Sequence, residues 1–448
     1  MSEEINWPGK KYAWFFTTLL LITYTVSFID RAMINLLIDP IRSDLKLSDI
    51  QMGQILGPGF MISYILFSLP VGRMVDKFNR IAVLIGGIIL WSIATAAHGF
   101  SSDYYSLFVS RAGVGAGEAA VTPASWSIIA DLFRPEDRAF PMSFYLMGPY
   151  IGQGLALLFG GLVIQLYTDP IVFLGFTLQP WQIIFILIAI PGFILSLGLA
   201  FLTDPVRKGI INKEKQHEES FVDVIAYIKS KFSAYFTLMI AASFIVVLLY
   251  TFQAWVPTYI SRIHGWDLSR VGYLFGIVTL ISGSLGVLSG PVVEKFLEKR
   301  NIKNSTHSVF LISSSAVAII PAFTFLFVNE QFVLPGMFVI SFFITLPMAC
   351  FASGLQKMTP QNYRGSISGL YVFIMNIVGL SLGPTVVPFF TSVIFENDMS
   401  INIALSNTFL IFGPLSFLIF FLGGKSLNQE LQSQHSRIGG ARRDRTDD

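Results

Sequence analysis

Apolar residues in this chain gather into runs long enough to cross a bilayer, parted by short polar segments. Twelve runs can be read: 13–38, 50–70, 80–100, 104–131, 139–166, 181–203, 234–259, 269–289, 306–328, 332–356, 366–395 and 402–424. About 20 apolar residues in a helix span the roughly 30 Å hydrocarbon core. Each run therefore predicts one membrane-crossing α-helix, the longer ones tilted or protruding. The expected fold is all-α and polytopic.

The longest polar interruption, residues 204–233, parts six runs from six. It predicts an N-terminal bundle over 1–203, a central linker over 204–233 and a C-terminal bundle over 234–424. Phe221 to Phe232 reads equally as an amphipathic surface helix or as solvated linker. The tail, 425–448, is polar and mixed in charge, and is expected to be disordered.

The two halves repeat each other. Gly72, Asp76, Lys77 and Phe78 recur as Gly290, Glu294, Lys295 and Phe296, all at an offset of 218. Pro135 and Arg138 recur as Pro360 and Arg364, and Gly154-Leu155-x-Leu157 as Gly379-Leu380-x-Leu382. A drift of offset this small predicts parallel repeats related by an axis along the membrane normal.

Composition narrows the function classes. The chain is 53% hydrophobic and only 13% charged, half the charge of an average soluble domain, about 25%. The single cysteine, Cys350, excludes a disulfide framework and a cysteine-based metal site. The five histidines form no metal-ligand spacing, and the net charge of +2 points to no nucleic acid. No cofactor or metal is expected. An enzyme would need a nucleophile–base pair or metal ligands in the spans, and a channel would more readily show rings of like residues. Neither pattern is present. With the N-terminus inside, inner segments hold 24 basic residues and outer loops only Arg42, Lys46, Arg262 and Arg270. The positive-inside rule then puts both termini in the cytoplasm.

The candidate chemistry lies in charges set inside apolar runs. The stretch 106–133 carries Arg111 and Glu118, seven residues apart and so on one helix face, about 10 Å apart. Each costs at least about 2.5–3.5 kcal/mol to place in hydrocarbon, so both are functional candidates. Gly113, Gly115 and Gly117 between them let a neighbouring helix approach closely. A nucleotide fingerprint would need a strand and a βαβ unit around these glycines, and neither is there. Asp30 and Arg31 are the matching pair in the first run. Should the two pairs meet in the fold, two acids and two bases would balance, and protonating one carboxylate would leave an arginine free to take an anion.

The loop VGRMVDKFNR, residues 71–80, with the twelve runs and the repeat, resembles the major facilitator superfamily over the whole chain. FIDR at 28–31, RAGVGAGEAAVTPASWSIIADLF at 111–133, W-x-P-T-Y at 255–259 and NIVGLSLGP at 376–384 are similar to its spinster-type branch. Gly148-Pro149-x-x-Gly152 is only a fragment of the antiporter signature, with Phe144 and Gln153 in place of glycines. The resemblance implies two six-helix bundles and a central cavity where Asp30, Arg31, Arg111 and Glu118 converge. Glu118 and Asp30 are then the proton-coupling residues. Arg111 and Arg31 bind substrate, with Gln253, Trp255, Tyr145 and Asn376 as further contacts. Gly72, Asp76, Lys77, Arg80, Arg138 and Glu294 form a cytoplasmic gate.

The implied activity is secondary active transport, proton-coupled, of an amphipathic or lipid-like organic anion such as a lysophospholipid or sphingoid-like molecule. A hydrophilic organic anion or sugar acid is the alternative. The expected partners are the substrate, protons and membrane lipids. The expected form is a monomer in the inner (plasma) membrane.

Overall fold

A computed structural model describes residues 7–134, 137, 139–166, 169–173, 175–207, 221–302, 304–327, 329–360 and 363–443. Eleven helices, counted over these residues, are long and apolar enough to cross a membrane by length and composition. They are α1 (Lys10–Leu36), then Asp49–Lys77, α5 (Arg80–His98), α9 (Gly148–Leu166), α10 (Pro180–Ala200), α12 (Phe232–His264), α13 (Leu268–Lys299), α14 (Ser305–Phe327), Glu330–Met358, Ile367–Ile394 and Asp398–Gln432. Within these, α3 (Asp49–Gln54) leads through a π-helical turn into α4 (Phe60–Lys77), α17 is Arg364–Phe389, and α18 runs from Ile401 to Arg443. The short α2 (Ile38–Leu45) links the first span to the second.

The fourth span, expected as one helix over 104–131, is two: α6 (Tyr104–Glu118) and α7 (Val121–Leu132). The cause is Pro123. It has no N–H to give the carbonyl of Ala119, and its ring crowds that turn. The break falls directly after Glu118. The fifth span divides in the same way into α8 (Ala139–Tyr145) and α9, with Pro149 four residues after Tyr145. In the second half the tenth span repeats the break of the fourth, between α15 (Val333–Thr345) and α16 (Met348–Met358) around Pro347.

Three other features differ from expectation or decide between alternatives. β1 (Ile171–Phe173) and β2 (Phe176–Leu178) pair antiparallel as a two-stranded hairpin, with Gly175 before β2 at φ +84°. Residues Phe221–Ser230 are helical as α11, and Tyr227 stacks on Tyr363 with ring centroids 4.9 Å apart. The tail expected to be disordered continues α18 as helix to Arg443.

The starts of α3, α5 and α6 are set by short polar side chains. Ser48 caps α3 and Asp103 caps α6, each closing a reciprocal capping box. Asn79 caps α5 by accepting from the backbone N–H of Ala82 at 2.9 Å. The Ser106 backbone N–H, donating at 2.8 Å, holds the exposed Asp103 carboxyl below its ordinary range.

Packing divides the chain into two compact units. One comprises Met1–Gln216 with Pro257–Leu280, the other His217–Val256 with Ile281–Asp448. In the first unit, glycines on α6 let three helices meet at backbone distance. A Cβ on Gly117 would sit 2.6 Å from the carbonyl oxygen of Gly87 on α5, and one on Gly115 2.3 Å from that of Phe60 on α4. In the second unit, α17 closes on α12 at Gly383, whose carbonyl accepts from the Thr251 hydroxyl at 2.9 Å.

This packing makes a direct prediction. Gly117→Ala forces α5 and α6 apart and should cost about 1–3 kcal/mol, the scale of overpacking in a tight core. Gly86→Ala, one residue from the contact and with open space around its Cβ, should be neutral. Melting curves of the two purified variants in one detergent check this, and equal midpoints would contradict the close approach.

Candidate functional site

Asp30, Arg31, Arg111 and Glu118 come together inside the first unit. Asp30, Arg111 and Glu118 are 2%, 1% and 3% exposed. The side chain of Arg31 is 15% exposed, so it turns inward rather than outward. α1 delivers the first two residues from its last turns, and α6 delivers the other two from one face.

The pairing differs from what spacing along α6 suggests. Glu118 forms its ion pair with Arg31, across helices, while Arg111 reaches toward the carbonyl of Arg31 at 3.5 Å. The reason is aromatic packing. The Arg31 guanidinium lies 4.4 Å from the Phe28 ring and 4.3 Å from the Phe60 ring. Arg111 lies over the same Phe60 at 5.2 Å. Such contacts contribute about 0.5–2 kcal/mol each and direct the cation. Phe60 thus separates two like charges and orients both.

The cluster holds hydrogen-bonding capacity in reserve. The Asp30 carboxylate lies near the Arg111 guanidinium and the Thr95 hydroxyl, and among the described residues neither of its oxygens has a partner at full hydrogen-bond geometry. Glu118 Oε1 and Arg111 Nε and Nη1 are also buried without a hydrogen-bond partner among the described residues. Unmet donors and acceptors in a buried site are costly. A group able to exchange a proton or accept from a guanidinium is what this arrangement can serve.

Of the further contacts expected, Tyr145 is fully buried and stacks on Tyr24, centroids 4.7 Å apart and planes 5° from parallel. Its hydroxyl faces those of Thr122 and Ser125. In the second unit Trp255 is fully buried and donates its indole N–H to the carbonyl of Pro384 at 2.8 Å. Gln253 and Asn376 are half-buried there.

The loop at 71–80 is fastened through Arg80 and by Asp131, Asp204 and Arg207, which lie outside the expected gate. Arg80 is fully buried. It pairs with Asp131 near the end of α7, binds Asp204 after α10 through Nε at 2.8 Å, and donates to Ser127 and to the carbonyl of Pro205. Arg207 caps the C-terminal end of α4 from the side, donating to the carbonyls of Val75, Asp76 and Phe78. The only trace in the sequence is charge at the ends of spans: a lone acid closing the fourth, and D-P-V-R after the sixth. Gly72 is half-exposed, and Asp76 and Lys77 are exposed. Arg138 lies outside the described residues. In the second unit Glu294 is buried with Lys357 at 2.6 Å and with Thr306. Lys357 and Asp131 each stand one residue before the end of their helix, but their partners do not correspond, since Glu294 repeats Asp76 and not Arg80.

The family model described as Major Facilitator Superfamily matches residues 20–384. An MFS-type efflux pump of Mycolicibacterium smegmatis is 26% identical over 86% of this chain and 86% of its own. A hexuronate transporter of Bacillus subtilis is 24% identical over 83% of this chain and 86% of its own. Among solved structures, a bacterial homologue of the human lysosomal transporter spinster, inward-facing and unoccupied, superposes with TM-score 0.78. It is 21% identical and covers 96% of this chain and 99% of its own.

The Arg80 network should carry stability. Arg80→Met strands two carboxylates, and removing one partner of a buried pair costs about 3–5 kcal/mol. Asp76→Asn, at an exposed carboxylate, should leave the melting midpoint unchanged. A midpoint for Arg80→Met equal to that of Asp76→Asn would contradict the network.

Proposed function

The chain belongs to the Major Facilitator Superfamily, and we propose that it is a proton-coupled secondary active transporter of an organic anion, working by alternating access. The observation that carries this reading is the buried four-charge cluster. Charge is expensive in hydrocarbon and is kept there for work on substrates, ions or protons. Glu118 and Asp30 take and release the proton. Arg31 and Arg111 hold the anionic group. A proton on Glu118 dissolves its pair with Arg31 and frees that guanidinium, so proton and anion favour each other's binding.

The aromatic wall around Arg31, formed by Phe28 and Phe60, favours an anion with apolar bulk, a lysophospholipid or sphingoid-like molecule. A second reading, a sugar acid, is favoured by the hydroxyls of Thr122, Ser125 and Tyr145 and by the likeness to a hexuronate transporter. The excess of basic residues in inner segments supports a bacterial inner-membrane orientation with both termini in the cytoplasm. In that orientation the 71–80 loop is a cytoplasmic gate, with Asp76 free to engage in one state and released in the other. Gln253 and Asn376 are contacts offered by the second unit.

Glu118→Gln imitates the protonated side chain. It should bind the anion at least as tightly as wild type and lose the dependence of affinity on pH, while failing to concentrate substrate on a proton gradient. Arg111→Ala should weaken binding about tenfold or more, the loss of roughly 1.4 kcal/mol of anion contact. Binding measured from pH 5 to 8 with a hexuronate and with an anionic single-chain phospholipid tests both readings. Equal pH dependence in wild type and Glu118→Gln contradicts the assignment of Glu118.

A further inference from the structure

The residues Pro257–Leu280 comprise the last turns of α12, a short link and the first turns of α13, and they pack as part of the first unit. Two contacts within that unit hold them. Arg262 binds two carboxylates at once. Its Nε and Nη2 donate to Asp39 at 3.0 and 2.6 Å, and its Nη1 and Nη2 donate to Asp49 at 2.8 Å each. Asp49 is shared with Arg42, whose Nε lies 3.2 Å away. The Asp49 side chain is 0% exposed and that of Arg262 8%. The second contact is backbone against backbone. A Cβ on Gly272 of α13 would lie 2.6 Å from the carbonyl of Leu157 on α9, and one on Gly161 2.7 Å from that of Ser269.

We propose that Arg262 is the latch of the outer gate, released from Asp39 and Asp49 each time the transporter opens outward. A guanidinium that satisfies two carboxylates bidentately is the strongest charge-assisted arrangement side chains make. It is also discrete: the forks are either seated or not, which suits a two-state element. The surrounding charge supports this role. Arg262 and Arg42 meet Asp39 and Asp49, so the set is neutral when closed, and opening exposes each group to water instead of leaving it in hydrocarbon. Glycines bring α9 and α13 to backbone distance, with Leu280 seated over Gly154 and Leu157 over Gly276, so few side chains have to withdraw when the link parts. The alternative is that Pro257–Leu280 never leaves the first unit and the helices flex at its ends; the latch then has no part in gating.

The proposal rests on the orientation and the alternating access proposed above, and needs no knowledge of the substrate. Tyr64 lies beside Arg31, its ring 6.0 Å from the guanidinium, and Tyr64→Cys is made in a Cys350→Ala background. Modification of the new thiol by a membrane-impermeant maleimide is followed in right-side-out and in inverted vesicles. Arg262→Ala should raise the outside rate about tenfold, as expected when an interaction of this class is removed from one of two states. Arg262→Lys and Asp39→Asn should fall between, since each keeps part of the pairing. Reversing the pair, with Arg262→Asp and Asp39→Arg together, should bring the rate back toward wild type. An outside rate in both Arg262→Ala and Asp39→Asn equal to wild type overturns the latch and leaves alternating access standing. An Arg262→Ala variant in which the outside and the inside rates rise together opens to both sides at once, which overturns alternating access, and the latch with it.

Discussion

A carboxylate or guanidinium inside a hydrocarbon layer has no water to turn to, so the protein must supply its partner or leave it neutral. In this chain that constraint is met by Arg31 and Glu118, drawn together from α1 and α6, and much of the first unit is arranged to permit it. The glycines of α6 bring α4 and α5 to backbone distance. Phe60, delivered by the π-helical turn before α4, lies against both arginines. The break after Glu118 lets α7 take its own direction, so that Asp131 reaches Arg80 at the far end. A larger residue at Gly115 would strike the backbone at Phe60 and disturb the charge cluster through its aromatic support.

The same rule governs the ends of the spans. Arg80 collects Asp131 and Asp204, Arg262 collects Asp39 and Asp49, and Glu294 takes Lys357. Each joins segments far apart in sequence. An arginine with two carboxylates fastens three segments at once, which a single surface pair contributing under about 1 kcal/mol would not do. The first unit therefore has a fixed fastening at Arg80, a working pair at Arg31 and, on our proposal, a releasable one at Arg262.

Much of this was legible in the sequence. Apolar run length gave the spans, because bilayer thickness sets helix length directly. Arg111 and Glu118 stood out because charge in such a run is rare, and Asp30 and Arg31 for the same reason. What spacing along one helix could not give was the choice of partner. Arg111 is nearer to Glu118 in sequence, yet Arg31 wins because Phe28 and Phe60 aim it, and rotation about α1 is set by packing. Pro123 and Pro149 were visible, but a proline alone leaves open whether a helix kinks or divides. Asp204 and Arg207 looked like ordinary charges of a polar linker. The packing of Pro257–Leu280 in the first unit has no local signal at all, since it depends on two carboxylates more than 200 residues away.

The central claim is that proton and anion share one charge cluster, and proton exchange on binding tests it most directly. Purified protein in weak buffer receives a hexuronate or an anionic single-chain phospholipid, and a pH-indicating dye reports the protons moved. The account predicts net proton uptake by the wild type as the anion binds, approaching one per protein at the pH where Glu118 is mostly ionised in the free protein. It predicts a much smaller uptake in Glu118→Gln. Binding of the anion by the wild type with no proton exchange between pH 5 and 8 would contradict it.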